Sequence, residues 1–242
     1  MISRLVVNGC SYMEAYARGD GHIDLANKLN ISNTTSLAVP GSCNNRIIRT
    51  TLKDSYCTTE KTLYIIGVTF LGRIELPINR EQDAFEGRWL SFQNTINPNH
   101  RYVDWWNAAD VKTVIDLKLK TELSGNEDQL ENLMYQLLSM VGDLKSRGHQ
   151  ILIFRQVDNI YNNLLSKEKF IKLKNYVNII DGLKWKAINW QHEQGIKFNP
   201  EDINLGFDVR HPLPGEHDPL NTFLLDYIKK YNLNTLTQET RS

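Results

Sequence analysis

Leu5-Val6-Val7-Asn8-Gly9-Cys10-Ser11-Tyr12-Met13 decides how the rest of the chain is read. Arg4 to Val7 is short, apolar and rich in β-branched residues, the pattern of a buried strand. It breaks at Gly9 and delivers Ser11 to a strand-to-helix corner. A serine hydroxyl held above the carboxyl end of a strand can act as a nucleophile when a base reaches it. The candidate base lies near the other end of the chain, in Asp208-Val209-Arg210-His211-Pro212.

Outward from that strand, Tyr12 to Asn30 reads as a helix interrupted around Gly19-Asp20-Gly21, with Ile23, Ala26 and Leu29 as its core-facing stripe after the break. Thr35 to Val39 is a second short strand, closed by the turn signal Pro40-Gly41. Cys43 to Cys57 is a helix with Ser42 as its N-cap, and Thr62 to Ile66 is a third strand that stops at Gly67. The order β-α-β-α-β is that of a parallel sheet with helices on its faces.

From Phe70 to about Asp110 the pattern decays, punctuated by Pro77 and Pro98, while Phe85, Trp89, Phe92, Tyr102, Trp105 and Trp106 concentrate there. A compact domain seldom spends so many residues without regular structure unless the segment has a job. Two readings stand: the aromatics cover the core or a neighbouring subunit, or they form a wall or lid over Ser11 that selects substrate. Helical periodicity returns at Val111 to Leu123 and again at Asp128 to Arg147, which Gly148 stops. Gln150 to Phe154 is a buried strand. Residues 158–204 are polar and Lys- and Asn-rich, with short helical pieces near Lys167 to Tyr176 and Gly182 to Trp190. Lys167, Lys169, Lys172 and Lys174 read as a solvated helix face. Asp218 to Tyr231 closes the chain as an amphipathic helix. Without repeats or low-complexity tracts, residues 1–242 form a single domain with an insertion at about 70–110.

The bulk composition narrows the function classes. A chain of 242 residues can bury a proper core as one α/β domain. Its 28 basic and 28 acidic residues cancel, so no field attracts nucleic acid or an anionic membrane, and both are disfavoured as partners. Cys10, Cys43 and Cys57 are an odd set without C-x-x-C spacing, which argues against a disulfide scaffold and a structural zinc site. No metal and no cofactor is expected. Neither a signal-peptide pattern nor a run approaching 18 apolar residues is found, so the expected location is cytoplasmic, with non-classical export left open. Oligomeric state is not indicated.

Three points lie at carboxyl ends of the expected strands, where ligands gather in open parallel sheets: Ser11, Gly41 and the Gly67-Val68-Thr69 stretch. A hydroxyl, a glycine turn and a polar residue on one edge are what acyl transfer needs, because backbone N–H groups can stabilise the oxyanion that develops. Each alone also reads as an ordinary turn or cap. Among the histidines, His217 reads as a cap or packing residue near the last helix. His22, His100, His149 and His192 lack an acid–nucleophile context and read as surface or loop residues.

Together these blocks resemble the SGNH (GDSL-type) hydrolase family. Gly9-Cys10-Ser11 stands where that family has Gly-Asp-Ser, Gly41 where it has its second-block glycine, and Gly67-Val68-Thr69-Phe70 where it has Gly-x-Asn-Asp. Asp208-Val209-Arg210-His211 matches its Asp-x-x-His before the last helix. The resemblance implies a flavodoxin-like three-layer α/β/α sandwich and a serine esterase acting on a small-molecule or carbohydrate ester, such as an O-acetyl group. It implies Ser11 as nucleophile, His211 as base and Asp208 as the residue orienting it, with Ser11, Gly41 and Thr69 as the oxyanion hole. Asn44, Asn45 and Arg73 are candidates for substrate contact, Arg73 pairing with Glu75 being the alternative. Cys10 for Asp and Thr69 for Asn depart from the family pattern, and they support a second hypothesis, a binding protein that kept the fold and lost the chemistry. A third, a nucleotide-binding flavodoxin-like protein, is weakened because no Gly-x-Gly-x-x-Gly or phosphate-binding Gly-Lys loop follows any strand.

Overall fold

The computed structural model describes residues 2–69, 73–77, 89–93, 126–155 and 218–233. In chain order these form β1 (Arg4–Asn8), α1 (Ser11–Arg18), α2 (Gly21–Lys28), β2 (Asn33–Ser36), α3 (Asn44–Cys57), β3 (Thr62–Val68), β4 (Arg73–Pro77), β5 (Trp89–Gln93), α4 (Asn126–Ser146), β6 (Gln150–Arg155) and α5 (Asp218–Lys230). Four strands make a parallel sheet in the order β2-β1-β3-β6.

Every residue of β1 and β3 is buried, which is why both read as unbroken apolar runs: a central parallel strand is covered on both faces. Alternation then divides the core in two. Leu5, Val7, Leu63, Ile65, Leu152 and Phe154 face α1, α2 and α5, whose Tyr12, Met13, Tyr16, Leu25, Leu224 and Ile228 fill that side. Val6, Tyr64, Ile66, Ile151 and Ile153 face α3 and α4, packing on Ile47, Leu130, Leu133, Leu137 and Val141. The result is a three-layer α/β/α sandwich.

Polar bonds tie the layers together. On the first face the Tyr16 hydroxyl reaches Asn221 Oδ1, and Asn221 Nδ2 donates to Gly21 O at 3.1 Å and to Asp24 Oδ2 at 2.8 Å, fastening α5 to α1 and α2. On the second, Arg4 grips the Asp54 carboxylate of α3 with both terminal nitrogens at 2.8 Å, and Tyr64 donates to the same carboxylate at 2.8 Å. Burial, reinforced by that bond to Asp54, pushes the Tyr64 phenol well above its ordinary value.

Several sequence expectations shift. Ile23 is 42% exposed and Leu25 takes its place in the core. At about 100° per residue, Ile23 lies nearly opposite Leu25 on the helix. β2 begins at Asn33, two residues before the expected start at Thr35, and ends at Ser36. Its ladder continues, with Leu37 N donating to Val7 O at 2.8 Å and Val39 N to Gly9 O at 3.3 Å, so the expected extension to Val39 holds in pairing. β3 does not stop at Gly67 but runs to Val68, because Gly67 and Val68 pair with Phe154 and Arg155. Cys43, not Ser42, caps α3, its Sγ accepting from Arg46 N at 3.4 Å. Ser42 sits one residue too early, and its hydroxyl donates to Val39 O at 2.6 Å instead.

Within the stretch expected to lack regular structure, β4 and β5 form an antiparallel hairpin pairing Arg73 with Gln93 and Pro77 with Trp89. Gly148 does end α4, at φ +78°, with Gly148 N bonded to Lys145 O and His149 N to Leu144 O, a Schellman closure. His149 is not a surface residue. It is 4% exposed, and its Nδ1 accepts from Thr62 N at 3.3 Å. Burial, helped by the charges of Lys61 and Arg147, pushes its imidazole below the usual histidine range. Among the described residues, no helix is long and apolar enough to cross a membrane.

Candidate functional site at the carboxyl edge of the sheet

β1 connects to β2 on one side through α1 and α2, while β3, on its other side, is entered from β2 through α3. The strand order therefore reverses between β1 and β3, and the carboxyl ends of these two strands flank the switch point where open α/β sheets bind ligands. Ser11 is the first residue of α1, following Cys10 in an extended conformation (φ −92°, ψ −158°), and it is partly exposed. The first N–H groups of a helix have no acceptor within it and carry the positive end of its dipole. α3 also starts at this edge, so two helix N-termini converge there.

Asn8, the last residue of β1, holds that corner. Its side chain is fully buried; Nδ2 lies 3.0 Å from Ile47 O and 2.9 Å from both Thr50 Oγ1 and Thr51 Oγ1, while Oδ1 accepts from Gly9 N at 2.9 Å. The turn before α3 is equally defined. Ser42 N bonds to Val39 O at 3.2 Å, with Pro40 and Gly41 between them and Gly41 at φ +78°, the signature of a type II turn. A Cβ on Gly41 would meet nothing within 4 Å, so glycine is required for the dihedral and not for space. Behind the turn the buried Arg46 donates from Nη1 to Leu37 O at 3.2 Å and to Ser42 Oγ at 3.1 Å, placing a guanidinium on the same side as the two helix ends.

Thr69 follows β3 directly and is fully buried. Its N–H donates to Asn44 Oδ1 at 2.8 Å, and its carbonyl accepts from Asn44 Nδ2 at 3.0 Å. Asn44, expected as a substrate contact, is thus a buried link between α3 and the end of β3, while Asn45 beside it is exposed. Arg73 opens β4 opposite Gln93. The structure brings Ser11, Gly41 and Thr69 to one edge. Asp208 and His211 lie outside the described residues, as do His217, residues 158–204, Val111–Leu123 and the aromatics other than Trp89 and Phe92. Asn8 and Arg46 were not anticipated: the α3 partners of Asn8 stand 39 to 43 residues away, and Arg46 turns back from inside a helix to Leu37 and Ser42. Their one local signal is a polar side chain at the end of an apolar run or inside a buried helix face. Among the described residues no group of three or more His, Cys, Asp or Glu side chains could hold a metal ion.

No protein-family model matches the sequence, and no curated protein matches it significantly. Among solved structures, an alpha/beta hydrolase enzyme from the metagenome of Lake Arreo, Spain, aligns with 96% of this chain and 96% of its own, at 11% identity and a TM-score of 0.50. The shared feature is the α/β sandwich. A GDSL-like lipase from Bacteroides thetaiotaomicron aligns over 95% of this chain and 89% of its own, at 12% identity and a TM-score of 0.42. An acetyl xylan esterase aligns over 94% and 98%, at 11% identity and a TM-score of 0.38. At such identities the likeness concerns the fold alone.

Proposed function

We propose that the chain is a serine hydrolase of carboxylic esters, with Ser11 as nucleophile, His211 as general base and Asp208 orienting the imidazole. The observation that carries this reading is the position of Ser11: first residue of α1, partly exposed, at the carboxyl end of β1 beside the switch point. In the proposed reaction the Ser11 hydroxyl attacks the ester carbonyl as His211 takes its proton. The negative charge passing to the carbonyl oxygen is met by N–H groups at the start of α1 and in the Gly41 turn, and by Thr69. Collapse expels the alcohol, protonated by His211, and water then releases the acyl group from Ser11. The substrate we favour carries a short acyl group, such as O-acetyl on a carbohydrate. That preference rests on the family resemblance and on the aromatics between Phe85 and Trp106.

One observation favours a second reading, a binding protein without turnover: Thr69 is fully buried and its backbone is engaged by Asn44. Steady-state hydrolysis of a chromogenic acetyl ester separates the two. The hydrolase reading expects turnover by the wild type, loss of most of it in Ser11→Ala and in His211→Ala, and its retention in His217→Ala. A folded but inactive wild type favours the binding protein, and equal losses at His211 and His217 overturn the choice of base.

A further inference from the structure

Three consecutive peptide groups lie between Asn8 and Ser11, and each is held by a hydrogen bond. Gly9 N–H donates to Asn8 Oδ1 at 2.9 Å, Gly9 C=O accepts from Val39 N at 3.3 Å, and Cys10 C=O accepts from Glu14 N at 3.0 Å. The last two are ordinary bonds of a strand ladder and a helix. The first comes from a side chain, and that side chain is itself anchored. Asn8 is fully buried, and its Nδ2 lies 3.0 Å from Ile47 O and 2.9 Å from Thr50 Oγ1 and Thr51 Oγ1 in α3. A polar side chain at the buried end of an apolar strand costs stability unless its atoms are bonded, and here the oxygen and the nitrogen both are. One planar carboxamide thus joins the peptide that enters the corner to α3. β1 has a second tie to the same helix, at its other end, where Arg4 grips Asp54. Four residues of strand, about 13 Å, separate the two ties. Asn8 is the one that adjoins the corner carrying Ser11.

We infer that Asn8 is a positioning residue for Ser11: it fixes the direction in which β1 hands the nucleophile to α1 and, fully buried, touches no substrate. This rests on the ester-hydrolase reading above. Gly9 has no side chain to restrict its dihedrals, so without the Asn8 bond the entry peptide is free to turn. Displacing a reacting group by about 1 Å can cost on the order of a hundredfold in rate, whereas substrate binding need not change.

The test is stopped-flow release of p-nitrophenolate from p-nitrophenyl acetate, whose first turnover reads acylation of the enzyme alone, well below the melting temperature of each variant. Asn8→Ala is expected to lower the maximal rate by about ten- to a hundredfold, with the half-saturating concentration changed less than about twofold. Asp54→Ala cuts the distant tie between the same two elements and loosens the fold comparably. It should nevertheless keep the maximal rate within about twofold of wild type, which separates positioning from stability. Replacing Thr50 and Thr51 together by valine removes two of the three acceptors around Asn8 Nδ2 and leaves the bond to Gly9. That pair should lower the rate by about threefold or more even where Asn8→Ala does not fold. Because the threonines act through Asn8, adding their replacement to Asn8→Ala should lower it no further. A rate within about twofold of wild type in the folded variants at Asn8 or at the threonines overturns the inference. So does an equal loss in Asp54→Ala, losses that multiply in the triple variant, or a rise in the half-saturating concentration alone. Each of these leaves the hydrolase reading intact, whereas a wild type that releases no p-nitrophenolate above the uncatalysed rate overturns both.

Discussion

Replacing Asn8 by alanine tests the architecture under the site. The amide has two hydrogens to share among Ile47 O, Thr50 Oγ1 and Thr51 Oγ1, and its oxygen accepts from Gly9 N. Each hydroxyl has a carbonyl of α3 to donate to, Arg46 O at 2.9 Å for Thr50 and Ile47 O at 2.8 Å for Thr51, so both can turn lone pairs toward Asn8. Two donated bonds at about 1 kcal/mol each, together with about 1 to 2 kcal/mol for a buried Gly9 N–H left without its acceptor, put the cost of Asn8→Ala at about 3 to 4 kcal/mol. That is a large share of the stability of an ordinary domain. Urea unfolding at neutral pH measures it through the midpoint at constant slope. A loss below about 1 kcal/mol with an unchanged slope would mean that these contacts contribute little net energy, refuting Asn8 as the fastening between β1 and α3.

Other parts of the fold make separate predictions. Asp54→Ala should cost about 3 kcal/mol in the same assay, because it strands the Arg4 guanidinium, whose side chain is 10% exposed, and removes the acceptor of Tyr64. Gly41→Ala should cost only about 1 kcal/mol, since the added methyl meets no neighbour and only the left-handed dihedral is penalised; a thermal shift beyond a few degrees would contradict this. His149 is held below its unfolded value, so below about pH 6.5 the unfolded chain binds more protons and stability falls until the lower folded value is passed. Above about pH 6.5 this contribution is fully present. His22, lowered by burial against the opposing charge of Asp20, acts in the same sense, so the check is the pH slope of wild type minus that of His149→Gln, which should be positive between pH 7.5 and 5.5.

What the sequence disclosed follows from where the physical signal is local. β1 and β3 are central parallel strands, β6 beside β3 is buried along Ile151 to Phe154, and burial on both faces writes itself as consecutive apolar residues. Pro40-Gly41 named its own turn, and Gly148 its helix stop. The hairpin had a signal too, in the alternation of Arg73-Ile74-Glu75-Leu76-Pro77, but it was masked by proline and by the long separation from its partner. β2 was harder because it is an edge strand whose polar Asn33-Thr34-Thr35-Ser36 drew attention to the apolar residues after it. The site divides in the same way. Ser11, Gly41 and Thr69 sit at strand ends that can be counted from the amino terminus. The bonds of Asn8 to α3 and of Asn44 to Thr69 join residues that are 39 to 43 and 25 positions apart, and no local pattern encodes them.

The measurement closest to the central claim is reaction of the folded protein with a fluorophosphonate, followed by mass spectrometry of the digested adduct. The account predicts one phosphonylated peptide, containing Ser11, absent from Ser11→Ala and strongly diminished in His211→Ala. Modification of a different serine, or none on a well-folded wild type, would contradict it.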